Sequence, residues 1–287
     1  MFDQAANLVD KYGLIPHHLY PDSYNAQNSR NMNRLITAKL REDALELRRL
    51  STETKDAGAT LSSVKNGMMR DIHRILTIML GPPPKPDQEF KWEFYDKEDK
   101  FNSVTTTPLK YAAELSTQAS VFSNNGVNVH EVFSLVNDPR NEYGKLLSVS
   151  RLGNIIELRG VRYVNVSMDT MKAACVSMLK ADIPIFFGSD VGKFSNTTSG
   201  IMDVDLVDYE LGFNVKLGMD KAQRLMTGES AMTHAMVLTA VHLDDNDKPI
   251  RWRVQNSWGE TAGTKGYFVM SDRWMDHFVY QVVVDPK

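Results

Sequence analysis

The sequence predicts an α+β fold, and three observations carry that prediction. Two long segments before residue 81 keep apolar side chains at helical spacing. From about residue 132 the chain changes to short runs of β-branched and aromatic residues bounded by turn signals. A polar stretch at about 116–128 separates the two regimes.

Taken in order, Phe2, Ala6 and Val9 have helical spacing, and Tyr12, Gly13 and Pro16 end the first helix. From about 29 to 50, Met32, Leu35, Ile36, Leu40, Leu47 and Leu50 recur among many charges, which predicts a long surface helix. A second runs from about 60 to 80, with Leu61, Val64, Met68, Ile72, Ile75 and Met79 on one stripe, and Gly81 with Pro82, Pro83 and Pro84 stops it. The two read as an antiparallel pair, either an inserted arm that contacts another subunit or a hairpin lying on its own domain. Residues 90–95 are strand-like, and further strands are expected at 132–136, 146–149, 155–158 and 161–166. A helix at about 169–180 precedes a buried strand at 183–187. Four more strands follow at 236–241, 251–254, 267–270 and 280–284.

Composition bounds the function. With 42% apolar and 24% charged residues the chain has ample material for a buried core, and a net charge of -3 argues against nucleic acid or a membrane surface as the main partner. The single cysteine, Cys175, excludes an intramolecular disulfide and a cysteine-based zinc cluster. No apolar run is long enough to span a bilayer, and the first residues lack the pattern of a secretory signal, so a cytoplasmic location is expected. Asn165-Val166-Ser167 and Asn196-Thr197-Thr198 match the glycosylation pattern and are read as chance. His17, His18, His73, His130, His242 and His277 show no metal-ligand spacing, and Asp203 and Asp205 read as solvated loop charges. Neither a metal nor a cofactor is expected.

Chemistry concentrates between 233 and 270. Thr233-His234-Ala235-Met236 opens a strand, and alternation lets His234 face a cleft while its neighbours face away. Asn256-Ser257-Trp258-Gly259 begins 22 positions later (256 minus 234), the length needed to leave on one strand, turn at 244–247 and return on the next. An asparagine amide oxygen there accepts a hydrogen bond from one imidazole nitrogen and turns the other toward a thiol, with Trp258 shielding the bond from water. Gly263-Thr264-Lys265-Gly266-Tyr267 then forms a two-glycine turn into the following strand. A lone histidine at a strand start is usually structural; the ordered set of three motifs is not so easily dismissed.

The order T-H-A-M, N-S-W-G, G-x-x-G-Y resembles the histidine and asparagine half of the papain superfamily of cysteine peptidases. Within it the chain is most similar to the bleomycin hydrolase family, through K-Y-G-L-I-P at 11–16, R-N-M-N at 30–33, V-N-D-P-R at 136–140, F-G-S-D-V-G-K at 187–193, G-E-S-A-M-T-H at 228–234, W-R-V-Q-N-S-W-G-E at 252–260 and V-V-V-D at 282–285. The resemblance implies a papain-like cysteine proteinase fold in which 1–27 is a remnant of the helical, cysteine-bearing lobe. Residues 28–125 would be an inserted helical arm, and 126–287 the β-rich lobe carrying the catalytic histidine and asparagine. It implies His234 as general base and imidazolium partner of a thiolate, Asn256 as its orienter and Trp258 as support for the site. It further implies a cytoplasmic thiol aminopeptidase acting on peptide or amide substrates, the amide of the drug bleomycin among them. Such a protein would assemble as a homohexamer around an internal channel, with the arm helping to join subunits.

The chain departs from the family in one respect that matters for chemistry. No segment matches the Gln-x-x-x-x-x-Cys-Trp pattern that places the nucleophile at a helix amino terminus. The expectation is therefore a fragment lacking the cysteine-bearing part and the carboxyl-terminal tail of its relatives, inactive alone. Its apolar surface would be exposed where the other lobe belongs, leaving it prone to aggregate or in need of a partner. The alternative is a noncatalytic assembly or interaction subunit derived from the same fold. Cys175 sits in the stripe Met171, Ala174, Cys175, Met178, Leu179 of a helix and is expected to be a packing residue. Ser189, where relatives often carry cysteine, lacks a nucleophile-elbow pattern and is assigned no chemistry.

Overall fold

Helical spacing and turn residues set the first elements. α1 (Phe2–Tyr12) ends at Gly13, whose φ of +74° permits a close approach: a Cβ there would lie 2.1 Å from the Pro108 carbonyl carbon. The neighbouring Leu14 N–H donates to that Pro108 oxygen at 3.0 Å. α2 (Tyr24–Gln27) is capped by the Ser23 hydroxyl, which accepts from Ala26 N–H. α3 (Arg30–Glu53) and α4 (Gly58–Leu80) pack on each other. β1 (Phe90–Tyr95) and β2 (Phe101–Thr106) form a separate antiparallel hairpin before α5 (Pro108–Leu115). Trp92 anchors that hairpin, stacked on Phe94 with centroids 4.2 Å apart and edge-on to Tyr111 at 5.5 Å.

This computed structural model describes residues 2–53, 58–96, 98–115, 131–155, 158 and 160–286. The chain divides into two compact units, Val9–Ala113 on the one hand and Met1–Leu8 with Glu114–Lys287 on the other. The boundary expected at 125/126 and residues 156 and 157 of the strand expected at 155–158 lie outside the described residues.

The second unit is built on one mixed sheet. Its elements are β3 (Phe133–Val136), β4 (Leu146–Leu147), β5 (Tyr163–Asn165), α6 (Met168–Lys180), β6 (Ile185–Ser189), β7 (Ser195–Asn196), β8 (Ile201–Met202), α7 (Tyr209–Phe213), α8 (Lys221–Thr227), β9 (His234–Leu243), β10 (Pro249–Gln255), β11 (Tyr267–Ser271), α9 (Asp272–Phe278) and β12 (Val279–Val284). The strand order is β4-β5-β3-β12-β6-β9-β10-β11-β8-β7, with parallel pairing at β3/β5 and β11/β8 and antiparallel pairing elsewhere. All of β12 is buried, as its near-continuous apolar run requires of a central strand. α6 and α9 bury Met171, Cys175, Trp274, Met275 and Phe278 in a core shared with Phe187, Leu238, Trp252 and Met270. Truncating any of these large side chains would cost about 2–5 kcal/mol.

α8 carries an unusual charge. Asp220 and Gln223 form a reciprocal capping box at its start, and Gly228 closes it at a φ of +74°. Its first residue, Lys221, is only half-buried, but the amine end turns inward, where Nζ donates to the Val279 carbonyl at 2.6 Å and lies 5.0 Å from the Tyr280 ring centroid. Desolvation pulls its pKa down to about 7. Below that pH the folded protein must hold a poorly solvated ammonium. Between about 7 and the ordinary lysine value the unfolded chain binds the extra proton, so this group adds stability as pH rises through that window. Lys221→Met is expected to stabilise by roughly 1–3 kcal/mol at pH 6. The difference in thermal midpoint between variant and parent should shrink steadily toward pH 10.5, and a pH-independent difference would show that the amine does not titrate in this range.

Candidate active site

Strand pairing delivers the site. β6 and β9 are antiparallel with Ser189 opposite His234, and β9 and β10 are antiparallel with Val237 opposite Gln255. The connecting turn is held by Asp244, whose side chain accepts from Asn246 and Lys248 N–H at 2.8 Å each while Asp247 takes a φ of +60°. Asn256 follows β10 directly, and its own N–H donates to the Gly266 carbonyl at 2.9 Å. Gly263 and Gly266 both have positive φ, and a Cβ on Gly263 would lie 2.3 Å from the Tyr267 carbonyl oxygen, which explains the glycine at that turn position.

These backbone constraints place His234 Nε2 at 2.9 Å from Asn256 Oδ1. An amide oxygen only accepts, so the proton of this bond sits on Nε2 and the lone pair of the neutral ring sits on Nδ1. Asn256 is 6% exposed, and its Nδ2 has no hydrogen-bond partner among the described residues. Trp258 lies against the imidazole, with ring centroids 5.0 Å apart and planes tilted by 30°, and meets Phe268 edge-on at 6.0 Å. It is 42% exposed, so one side of the indole faces solvent while the other faces the histidine. The arrangement can take up a proton at Nδ1 and hold the resulting imidazolium against an amide oxygen.

Of the sequence candidates, His234, Asn256 and Trp258 therefore meet in one place. Cys175 does not join them: it is fully buried in α6, and burial pushes its thiol up to about 12. Asp205 pairs with Arg273 at 2.7 Å on the surface, and His277 Nδ1 lies 2.9 Å from an Arg224 nitrogen. No cluster of three metal-binding side chains occurs among the described residues.

Sequence reasoning missed what supports the approach to His234. Ser230 donates to Asp190 Oδ2 at 2.7 Å and shares a hydrogen bond with the Tyr280 hydroxyl. Ala231 N–H and Thr233 Oγ1 also donate to the Asp190 carboxylate, both at 3.3 Å. The signal was present in G-E-S-A-M-T-H and F-G-S-D-V-G-K, but only the fold shows that the two segments share a buried carboxylate. Ser189 Oγ, across the ladder from His234, is buried with no hydrogen-bond partner among the described residues.

The model of the peptidase C1-like family matches residues 1–287. The chain is 40% identical over 292 residues to human bleomycin hydrolase, covering 100% of this chain and 62% of that protein. It is 38% identical over 288 residues to "Cysteine proteinase 1, mitochondrial" of Saccharomyces cerevisiae, covering 99% and 57%. To aminopeptidase C of Streptococcus thermophilus it is 37% identical over 286 residues, covering 99% and 61%. Among solved structures, that of PepW from Lactobacillus rhamnosis HN001 superposes with a TM-score of 0.88 at 39% identity, covering 99% of this chain and 61% of that one. The chain thus spans about three-fifths of the length of the relatives it matches.

The imidazole tautomer gives a direct check on this geometry. Nitrogen NMR of the 287-residue chain is expected to show the Nε2–H form of His234, with the Nδ1–H form gaining population in Asn256→Ala. That variant should also lose about 1 kcal/mol of stability. An Nδ1–H majority in the parent chain would contradict the hydrogen bond.

Proposed function

The chain belongs to the peptidase C1-like family, and we propose that it supplies the histidine and asparagine half of a cysteine-peptidase site of the bleomycin hydrolase type. On this reading His234 Nδ1 takes the proton of a thiol, Asn256 fixes the ring through Nε2–H, and Trp258 limits water around their bond. The observation that carries the reading is the 2.9 Å contact between His234 and Asn256 on adjacent antiparallel strands. The thiol comes from outside these residues, because the one cysteine present is buried and held as a neutral group. Residues 1–27 then belong with a cysteine-bearing lobe, 28–125 form an arm, and 126–287 form the lobe that carries His234 and Asn256.

The reaction follows from those parts. A thiolate attacks the carbonyl carbon of a peptide or amide, the imidazolium returns the proton to the departing amine, and water then hydrolyses the acyl-enzyme with His234 again as base. Free amino-terminal peptides and small amides are the substrate class, by analogy with the names aminopeptidase C and bleomycin hydrolase carried by relatives. No described helix is long and apolar enough to cross a membrane, and we place the assembled protein in the cytoplasm as a homohexamer.

Complementation tests the assignment. The 287-residue chain should not hydrolyse an aminoacyl-coumarin amide alone, but should do so when co-expressed with the amino-terminal part of the yeast relative that it does not match. His234→Ala in the complemented pair is expected to lower kcat/KM by about 10²–10⁴-fold. Turnover by the chain alone, or turnover that survives His234→Ala, would overturn the assignment. Complementation that never gives turnover, with both parts soluble and associated, would favour the noncatalytic subunit. Under native conditions Cys175 should resist both an epoxide thiol-protease inhibitor and iodoacetamide, and stoichiometric labelling there would make it a candidate nucleophile.

A further inference from the structure

The face of the sheet opposite its buried core has a feature that the peptidase reading does not use. Along β10, Trp252 and Val254 point into the core, so Arg251 and Arg253 project together from the other face. Their cross-strand neighbours are His242 and Ser271 beside Arg251, and Ala240 and Val269 beside Arg253. All of these but Ser271 line a cavity of about 460 Å³ with an aliphatic floor completed by Ile201, and no acidic residue lines it among the described residues. Val269 and Ile201 are exposed. Among the described residues neither arginine has a carboxylate within ion-pair distance, although acidic residues outnumber basic ones in this chain. Arg253 is held in place by stacking on the Tyr267 ring, 3.9 Å from its centroid.

We propose that this cavity binds an acidic peptide segment in extended conformation, with carboxylates at alternate positions. Spacing supports the choice. Two arginines at i and i+2 of a strand stand about 6.6 Å apart, and an extended peptide repeats its side chains on one face at the same interval. A Glu-x-Glu segment lying along β10 can pair each carboxylate with one guanidinium, and aliphatic side chains of the segment cover Ala240, Ile201 and Val269. Nucleic acid fits less well, because the exposed floor is aliphatic, the aromatic rings of Trp252 and Phe268 in the lining are buried, and that of Tyr267 is already covered by Arg253. The inference is independent of the hydrolytic reading, since none of these side chains touches His234 or Asn256 in the contacts described above.

Fluorescence polarisation with the full chain tests it, using a fluorescein-labelled octapeptide of alternating Glu and Val. The peptide should bind at low salt and weaken as salt rises. A peptide of the same composition with its glutamates adjacent should bind several-fold less well. Arg251→Gln, which leaves the Arg253–Tyr267 stack intact, is expected to weaken binding roughly threefold to tenfold with the melting midpoint unchanged. Arg251→Glu should reverse the preference toward a peptide with Lys in place of Glu. Equal affinity for the two glutamate arrangements, binding indifferent to both Arg251 substitutions, or preferential binding of a single-stranded oligonucleotide would each overturn the proposal.

Discussion

The site depends on strand register. Side chains alternate along β9 and β10, so a slip of one residue between them would turn His234 and Asn256 to opposite faces of the sheet. That register is pinned by backbone contacts. Asp244 shapes the turn, irregular pairing falls between Pro249 and Arg251 and between Arg253 and Val254, and Gly266 accepts the Asn256 N–H immediately beyond the strand. The imidazole–amide hydrogen bond contributes on the order of 1 kcal/mol. It is a consequence of the sheet's geometry and too weak to create it.

A second layer of support comes from polar atoms buried where a stability argument alone would place apolar ones. Asp190 follows β6 and accepts from Ser230, Ala231 and Thr233, so one carboxylate ties the end of β6 to the segment that enters β9. Tyr280 of the central strand joins through Ser230, and burial raises its phenol above the ordinary value. Several bonds converging on one buried group fix the residues before His234 more firmly than packing against a flexible loop would. The 2.6 Å ion pair of Lys193 with Glu229 closes the same segment at the surface.

Much of this was legible in the sequence, and the reasons differ by element. The long helices and the strands around His234, Asn256 and Tyr267 were readable because each repeats its pattern several times or ends at a strong turn signal. α9 was not, since Asp272–Phe278 makes only two turns and its Trp274, Met275 and Phe278 resemble the strand residues that flank them. β7 and β8 have two residues each, too few for any period. The contact of His234 with Asn256 could be inferred from spacing because a hairpin converts sequence separation into position. The convergence of Ser230 and Thr233 on Asp190, with Tyr280 joined through Ser230, could not, because these side-chain bonds link segments 40 to 50 residues apart and leave no periodic mark in the sequence.

Two buried polar atoms bear on why the site looks as it does. Asn256 Nδ2 and Ser189 Oγ lie on residues adjoining His234, and neither has a hydrogen-bond partner among the described residues. Leaving such a group unpaired costs about 1–3 kcal/mol, and an apolar side chain of similar volume would avoid that cost. Asn256 is also short of the partners that would make its burial favourable on balance, since only its oxygen is engaged. Stability therefore does not account for an asparagine here, whereas orienting an imidazole through its Nε2–H requires an acceptor at this place, which the Asn256 amide oxygen supplies without a charge. An aspartate in that position would also accept the Nε2–H, but it would bring a negative charge into the buried contact, which must then be desolvated. The neutral amide keeps the ring in place and leaves its second nitrogen free to take a proton.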